Sequence, residues 1–215
     1  MARNSETRLI ETIRVKGGRA PLLYLHIRRL VASCRALGVP FPPSFSTPEG
    51  GPDRVHRLEV GASGVNVRER EPGPVHPVQL LTSRVPHPGY PHKIAERSAF
   101  VRASDAAREA GADDALLLTA QGQVAETSIW CLFWWEGDRI AAPALDLKIL
   151  LGVSRARIVE VEGPVVERRV GLEALAGRPL FLANAARGIV EVASLDGVPV
   201  PRDARTADLR ARFWP

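Results

Sequence analysis

Val85-Pro86-His87-Pro88-Gly89-Tyr90-Pro91-His92-Lys93 is the stretch on which the fold turns. Each proline removes a backbone N–H, fixes φ and biases the residue before it away from helix. Neither a helix nor a strand runs through such a segment, and the sequence on its two sides follows different patterns. We therefore expect mixed α/β (α+β) architecture in two lobes. Residues 1–84 form a smaller N-terminal lobe, 85–91 a linker, and 92–215 a C-terminal lobe.

Upstream of the break, Leu9 to Val15 alternates as a strand and Gly17-Gly18 supplies a turn, with Leu22-Leu23 as the return strand. Ile27, Leu30, Val31, Cys34 and Leu37 share one helical face, which predicts a helix from about Tyr24 to Leu37, stopped by Gly38. Pro40 to Asp53 reads as an exposed loop. Val55–Val60 and Val65–Arg70 read as a hairpin about Gly61 to Gly64, and Val78–Thr82 as a further strand.

Downstream, the spacing predicts a helix over Ala99–Ala110 and strands at Ala115–Thr119, Ile129–Trp135, Leu180–Ala183 and Ile189–Ala193. Gly152-Val153-Ser154 reads as a loop entering a helical turn with Ser154 as its cap. Leu172–Ala176 and Thr206–Phe213 are expected to be helical.

Composition narrows the function classes. The formal net charge is +5, yet acids and bases interleave, as in Arg68-Glu69-Arg70-Glu71, and no basic run carries interleaved aromatics. That pattern argues against a nucleic-acid module and leaves room for a small anionic ligand. Met1–Ser5 lacks an apolar core of signal-peptide length and no apolar run approaches a membrane span, so the cytoplasm is the expected compartment and no membrane partner is expected. Cys34 and Cys131 show neither a disulfide framework nor zinc spacing, and His56, His76, His87 and His92 lack metal-ligand spacing, so no metal is expected. No nucleophile-elbow serine or Gly-rich phosphate fingerprint is present.

The 29 basic residues include three lysines, Lys16, Lys93 and Lys148. A guanidinium stays protonated, whereas an amine can lose its proton and act as a nucleophile. Lys16 falls in a hairpin turn and Lys148 reads as a snorkelling surface residue, which leaves Lys93 as the candidate amine.

Leu9–Val15 followed by Pro21-Leu22-Leu23-Tyr24-Leu25-His26-Ile27-Arg28-Arg29-Leu30 resembles the opening of class IV (fold-type IV) aminotransferases. Further likenesses follow in order: His92-Lys93 with Arg97, Ala115 to Leu118 with Gly122 to Ser128, Gly152-Val153-Ser154-Arg155, and Asn184-Ala185-Ala186-Arg187-Gly188-Ile189. Each is short, but together they span residues 9 to 198 in the superfamily's order. Within it, Asn184–Ile189, the Lys93–Arg97 spacing and Val192–Gly197 are most similar to aminodeoxychorismate lyases, which split 4-amino-4-deoxychorismate into 4-aminobenzoate and pyruvate on the way to folate.

The resemblance implies a D-amino-acid-aminotransferase-like fold and pyridoxal 5'-phosphate as cofactor. Lys93 matches the Schiff-base lysine that then moves protons, and Glu126 the carboxylate that keeps the pyridine nitrogen protonated. Arg29 matches the phosphate arginine, supported by Gly152, Val153 and Ser154 at a helix start. Ala185 would present backbone groups to phosphate or substrate, and Arg97, Ala186 and Arg187 would meet an anionic amino substrate. A homodimer whose partner subunit helps close the site is implied as well.

The chain departs from the family pattern in starting almost at Glu11-Thr12, in Cys131 where Asn is common, in Ser154 where Thr is usual, and in Ser98 where branched-chain enzymes carry Tyr. Amino-acid transamination, and a catalytically silent anion-binding role, are the alternative functions.

Overall fold

The computed structural model describes residues 7–43 and 50–215; Met1–Ser5 and the 44–49 part of the expected loop lie outside the described residues. Leu9–Val15 (β1), Arg54–Gly61 (β2) and Gly64–Arg70 (β3) form an antiparallel sheet in the order β1-β2-β3. Helix α1, Leu23–Leu37, packs Leu30 and Cys34 onto Leu9 and Val60 of this sheet. It stops at Gly38, whose φ of 66° places it in the left-handed region while its N–H bonds Cys34 O.

The expected return strand at Leu22-Leu23 is instead the helix start. Leu22 is the N-cap, and its carbonyl accepts from Leu25 and His26 N–H. Leu22 and Leu25 are buried against Phe133 and Phe181 of the other lobe, so tertiary packing overrides the turn-and-return reading.

The larger sheet holds Val78–Thr82 (β4), Asp114–Leu118 (β5), Val124–Thr127 (β6), Cys131–Glu136 (β7), Arg139–Pro143 (β8), Val166–Arg168 (β9), Leu180–Asn184 (β10) and Gly188–Leu195 (β11). Its order is β6-β5-β4-β11-β10-β7-β8-β9, with Val198–Pro199 (β12) on β11. Helices α2 (Ser98–Glu109), α3 (Val153–Glu162) and α4 (Ala204–Arg212) complete the lobe.

Side chains alternate across β7. Phe133 and Trp135 join Phe181, Ile158, Leu209 and Phe213 under α3 and α4, while Leu132 and Trp134 join Leu116, Leu182 and Val190 on the opposite face. Burial on both faces is why this strand reads as an unbroken apolar run. It begins at Cys131 rather than Ile129, because Thr127 and Trp130 close a tight turn through Thr127 N–H to Trp130 O and Trp130 N–H to Thr127 Oγ1.

The division between sheets differs from the expected 85–91 break. β4 precedes that break but runs parallel between β5 and β11, with Val78 and Leu80 buried among Leu116 and Val192. The chain therefore passes from small to large sheet within residues 71–77. It then returns, for Ile94 bridges Leu9 and Ile10 N–H bonds Lys93 O at 2.7 Å. The backbone of Lys93 is a rung on the edge of the small sheet. The proline run thus carries the chain back from the large sheet to the edge of the small one, and the earlier crossing at residues 71–77 is hidden because β4's pairing to residues 192–195 has no local trace.

Candidate active site

A cavity of about 160 Å³ opens between the two sheets, and the ten expected site residues all line it: Lys93, Arg29, Glu126, Gly152, Val153, Ser154, Ala185, Ala186, Arg97 and Arg187. Lys93 is half-buried, and among the described residues its amine has no hydrogen-bond or ion-pair partner. Burial, then the Arg97 and Arg29 charges, bring its pKa down to about 7. The other two lysines are exposed, and Lys16 lies over the Trp214 ring at 5.5 Å.

On the small-sheet side, Glu11 of β1 grips Arg29 of α1 with both oxygens, Nε to Oε1 at 2.9 Å and Nη2 to Oε2 at 2.5 Å. His26, one turn earlier on α1, places Nδ1 at 2.6 Å from Oε2. Burial pushes the Glu11 carboxyl up, but the Arg29 charge and the His26 and Arg29 hydrogen bonds outweigh it and hold the pKa at about 2. Burial likewise pushes the His26 pKa down. The neutral ring then donates from Nδ1, since an ionised carboxylate only accepts.

On the large-sheet side, Glu126 of β6 is buried and receives His87 Nε2 at 2.9 Å and Leu150 N–H at 3.2 Å, both on Oε1. Helix α3 starts in the cavity wall at Gly152 and Val153, so its first N–H groups make an anion site beside Arg29. Gly152 has no freedom here, because any Cβ would run into Cys131 Sγ. Ser154 is not the cap expected from sequence: Gly152 is the N-cap, and Ser154 Oγ donates to Ala183 O at 2.9 Å. That acceptor comes from a strand 29 residues away and is invisible to local pattern.

Arginines ring the remaining wall. Arg97 donates to Ser128 O and lies over Tyr90 and Phe100 at 5.8 and 5.2 Å. Arg187 lies over Trp130 at 5.6 Å and fits against Gly73, where a Cβ would strike its guanidinium. Asn184 Oδ1 accepts from Ala186 N–H at 3.0 Å and Arg187 N–H at 2.8 Å, so the Ala186 N–H expected for substrate is already used within the loop. Ala186 O accepts from Arg14 Nη1 at 3.5 Å.

Sequence reasoning passes over several polar lining residues and one behind them. Arg57 of β2 and Arg70 of β3 were lost among many arginines, although they stand on the same sheet face as Thr12, which also lines the cavity. Tyr90 lines it too, with its hydroxyl donated to Ile94 O next to Lys93 and burial pushing its pKa up to about 12. His26 lines it beside Arg29, while His87 stands behind Glu126. The signal for His87 is its place in the proline run, six residues before Lys93.

The donor set suits a phosphorylated carbonyl cofactor. An unpaired amine lies in one cavity with a guanidinium and helix start for a phosphate, and with a carboxylate for a ring nitrogen. The overall fold is shared with several solved structures. A branched-chain aminotransferase from Thermoproteus uzoniensis, solved with norvaline, superposes with a TM-score of 0.85 at 20% identity over 96% of this chain and 84% of its own. A Legionella pneumophila protein named provisionally as a 4-amino-4-deoxychorismate lyase gives 0.81 at 24% identity over 96% and 91%. A Brucella abortus aminotransferase bound to PLP gives 0.78 at 20% identity over 95% and 86%.

The family model for class IV aminotransferases matches residues 64–195, more than half of the chain, and the chain belongs to that family. No curated protein sequence matches it.

Proposed function

We propose that this chain binds pyridoxal 5'-phosphate on Lys93 and cleaves 4-amino-4-deoxychorismate to 4-aminobenzoate and pyruvate, a lyase step toward folate. The observation that carries the reading is one cavity holding an unpaired amine of pKa about 7, a carboxylate across from it, and Arg57, Arg70, Arg97 and Arg187 around them. A substrate with two carboxylates suits that excess of positive charge. The provisionally named Legionella lyase with the same fold adds support.

When bound, the cofactor would supply an electron sink for the pair left as the amine-bearing carbon loses its proton. Once the substrate's amine has displaced it from the cofactor, Lys93 would be the base for that proton; burial and the Arg97 and Arg29 charges already favour its unprotonated form in the cofactor-free chain. Arg29 and the first turn of α3 would hold the phosphate. Glu126 would keep a proton on the ring nitrogen. Arg97 and Arg187 face the substrate's carboxylates. The substrate's ring C–O bond to the enolpyruvyl group then breaks with that electron pair, Lys93 would return the proton to the departing enolpyruvate so that it leaves as pyruvate, and formation of the aromatic ring would drive the step forward.

Amino-acid transamination uses the same early proton transfer, and the branched-chain enzyme of the same fold favours it as the second reading. A homodimer in the cytoplasm belongs to the proposal. The protein as purified, supplied with pyridoxal phosphate and aminodeoxychorismate, is expected to release 4-aminobenzoate and pyruvate in equal amounts. Borohydride is expected to fix the cofactor to the Lys93 peptide. Turnover of an amino acid with 2-oxoglutarate, without pyruvate from aminodeoxychorismate, overturns the lyase reading in favour of transamination. A protein that takes up no cofactor favours the silent role.

A further inference from the structure

We infer that His87 is a positioning residue that aims Glu126 into the cavity, an inference that rests on Glu126 as the partner of the cofactor's ring nitrogen. His87 Nδ1 accepts from Gly89 N–H at 3.2 Å, so that nitrogen carries no proton and the ring's N–H is on Nε2. Nε2 donates to Glu126 Oε1 at 2.9 Å. The imidazole is locked in turn by its own backbone, His87 N–H to Leu118 O at 2.7 Å, and by an edge-on contact with Phe100 at 5.5 Å.

The second donor to Glu126, Leu150 N–H, also lands on Oε1. Oε2 has no partner among the described residues and is not among their buried orphan atoms, and Glu126 lines the cavity. Two donors thus saturate the rear oxygen and leave the front one to a ring N–H. His87 itself does not line the cavity, so it touches neither cofactor nor substrate and acts through the carboxylate.

The test compares His87→Gln, whose amide reaches where Nε2 stood, with His87→Asn, which is polar but too short, and His87→Leu. Circular dichroism and thermal melting report folding. The readouts are the ¹⁵N NMR shift of ring-labelled pyridoxal phosphate on the protein and the split between kcat and KM.

His87→Gln is expected to keep the wild-type ring-nitrogen signal. His87→Asn and His87→Leu are expected to move it toward the unprotonated ring and to lower kcat about 10–100-fold, with KM for the amino substrate little changed. A folded, loaded His87→Asn protein with unchanged nitrogen signal and kcat overturns the positioning role and leaves the proposed function standing. Wild-type protein that takes up no pyridoxal phosphate overturns both.

Discussion

Glu11 and Glu126 are both buried carboxylates flanking one cavity, yet they are built for opposite ends. Glu11, on the small sheet, spends both oxygens on Arg29 and one of them again on His26. Glu126, on the large sheet, receives both its donors on one oxygen and keeps the other open. The lesson is that saturation separates a carboxylate that orients a neighbour from one that waits for a ligand. Burial alone does not distinguish them.

Removing the amine whose charge both acids influence has the greatest expected effect. Lys93→Ala is expected to lower turnover by about 10³-fold or more, in the range of a lost general base, with loss of covalent cofactor seen by absorbance. In cofactor-free protein, acylation of Lys93 followed by mass spectrometry is expected to rise through a midpoint near pH 7, because its pKa lies well below the ordinary 10.5.

Glu11→Gln probes the saturated carboxylate. It strands the Arg29 charge in a buried site and is expected to cost about 3–5 kcal/mol of stability in urea unfolding. The pH profile carries the same information. The folded-state pKa of Glu11 lies below its unfolded 4.5, at about 2, so its contribution is complete above pH 4.5 and is lost as pH falls through 2. A shift of that size corresponds to about 3 kcal/mol, and the Gln variant is expected to lack this acid-dependent loss.

Gly152→Ala tests the helix start that neighbours Glu126. The clash with Cys131 Sγ is expected to cost about 1–3 kcal/mol, and Cys131→Ala in the same chain to restore most of it, a coupling read by thermal melts of the four variants. The smallest effect is expected at the rim. Arg57→Ala or Arg70→Ala is expected to raise KM up to about tenfold, or about 1.4 kcal/mol, with kcat unchanged, as for binding energy equal in ground and transition states.

The sequence made the elements legible wherever their determinants are local. β1, α1 and the β2–β3 hairpin follow from alternation, helical spacing and glycine stops, and Lys93 stands out because the chain otherwise writes its charge as arginine. The ten residues carried over from the family likeness converge on one cavity.

What stayed hidden depends on long-range partners. β4 pairs with β11 across more than a hundred residues, Ser154 turns to Ala183, and His87 finds Glu126 39 residues on. None of these leaves a periodic trace, and tertiary geometry alone decides which of many arginines face inward.

The rung between Ile10 N–H and Lys93 O has a mechanical consequence. It mounts the reactive amine on the same platform as Arg29, whose anchor Glu11 is the next residue along β1. Glu126 rides on the other platform, in β6. The start of α3 at Gly152 and Val153 rides with Glu126. Any rigid tilt of one sheet against the other would therefore carry Lys93 and Arg29 together and displace both from Glu126 and that helix start, so the Lys93–Glu126 and Arg29–Gly152 gaps would open or close in step.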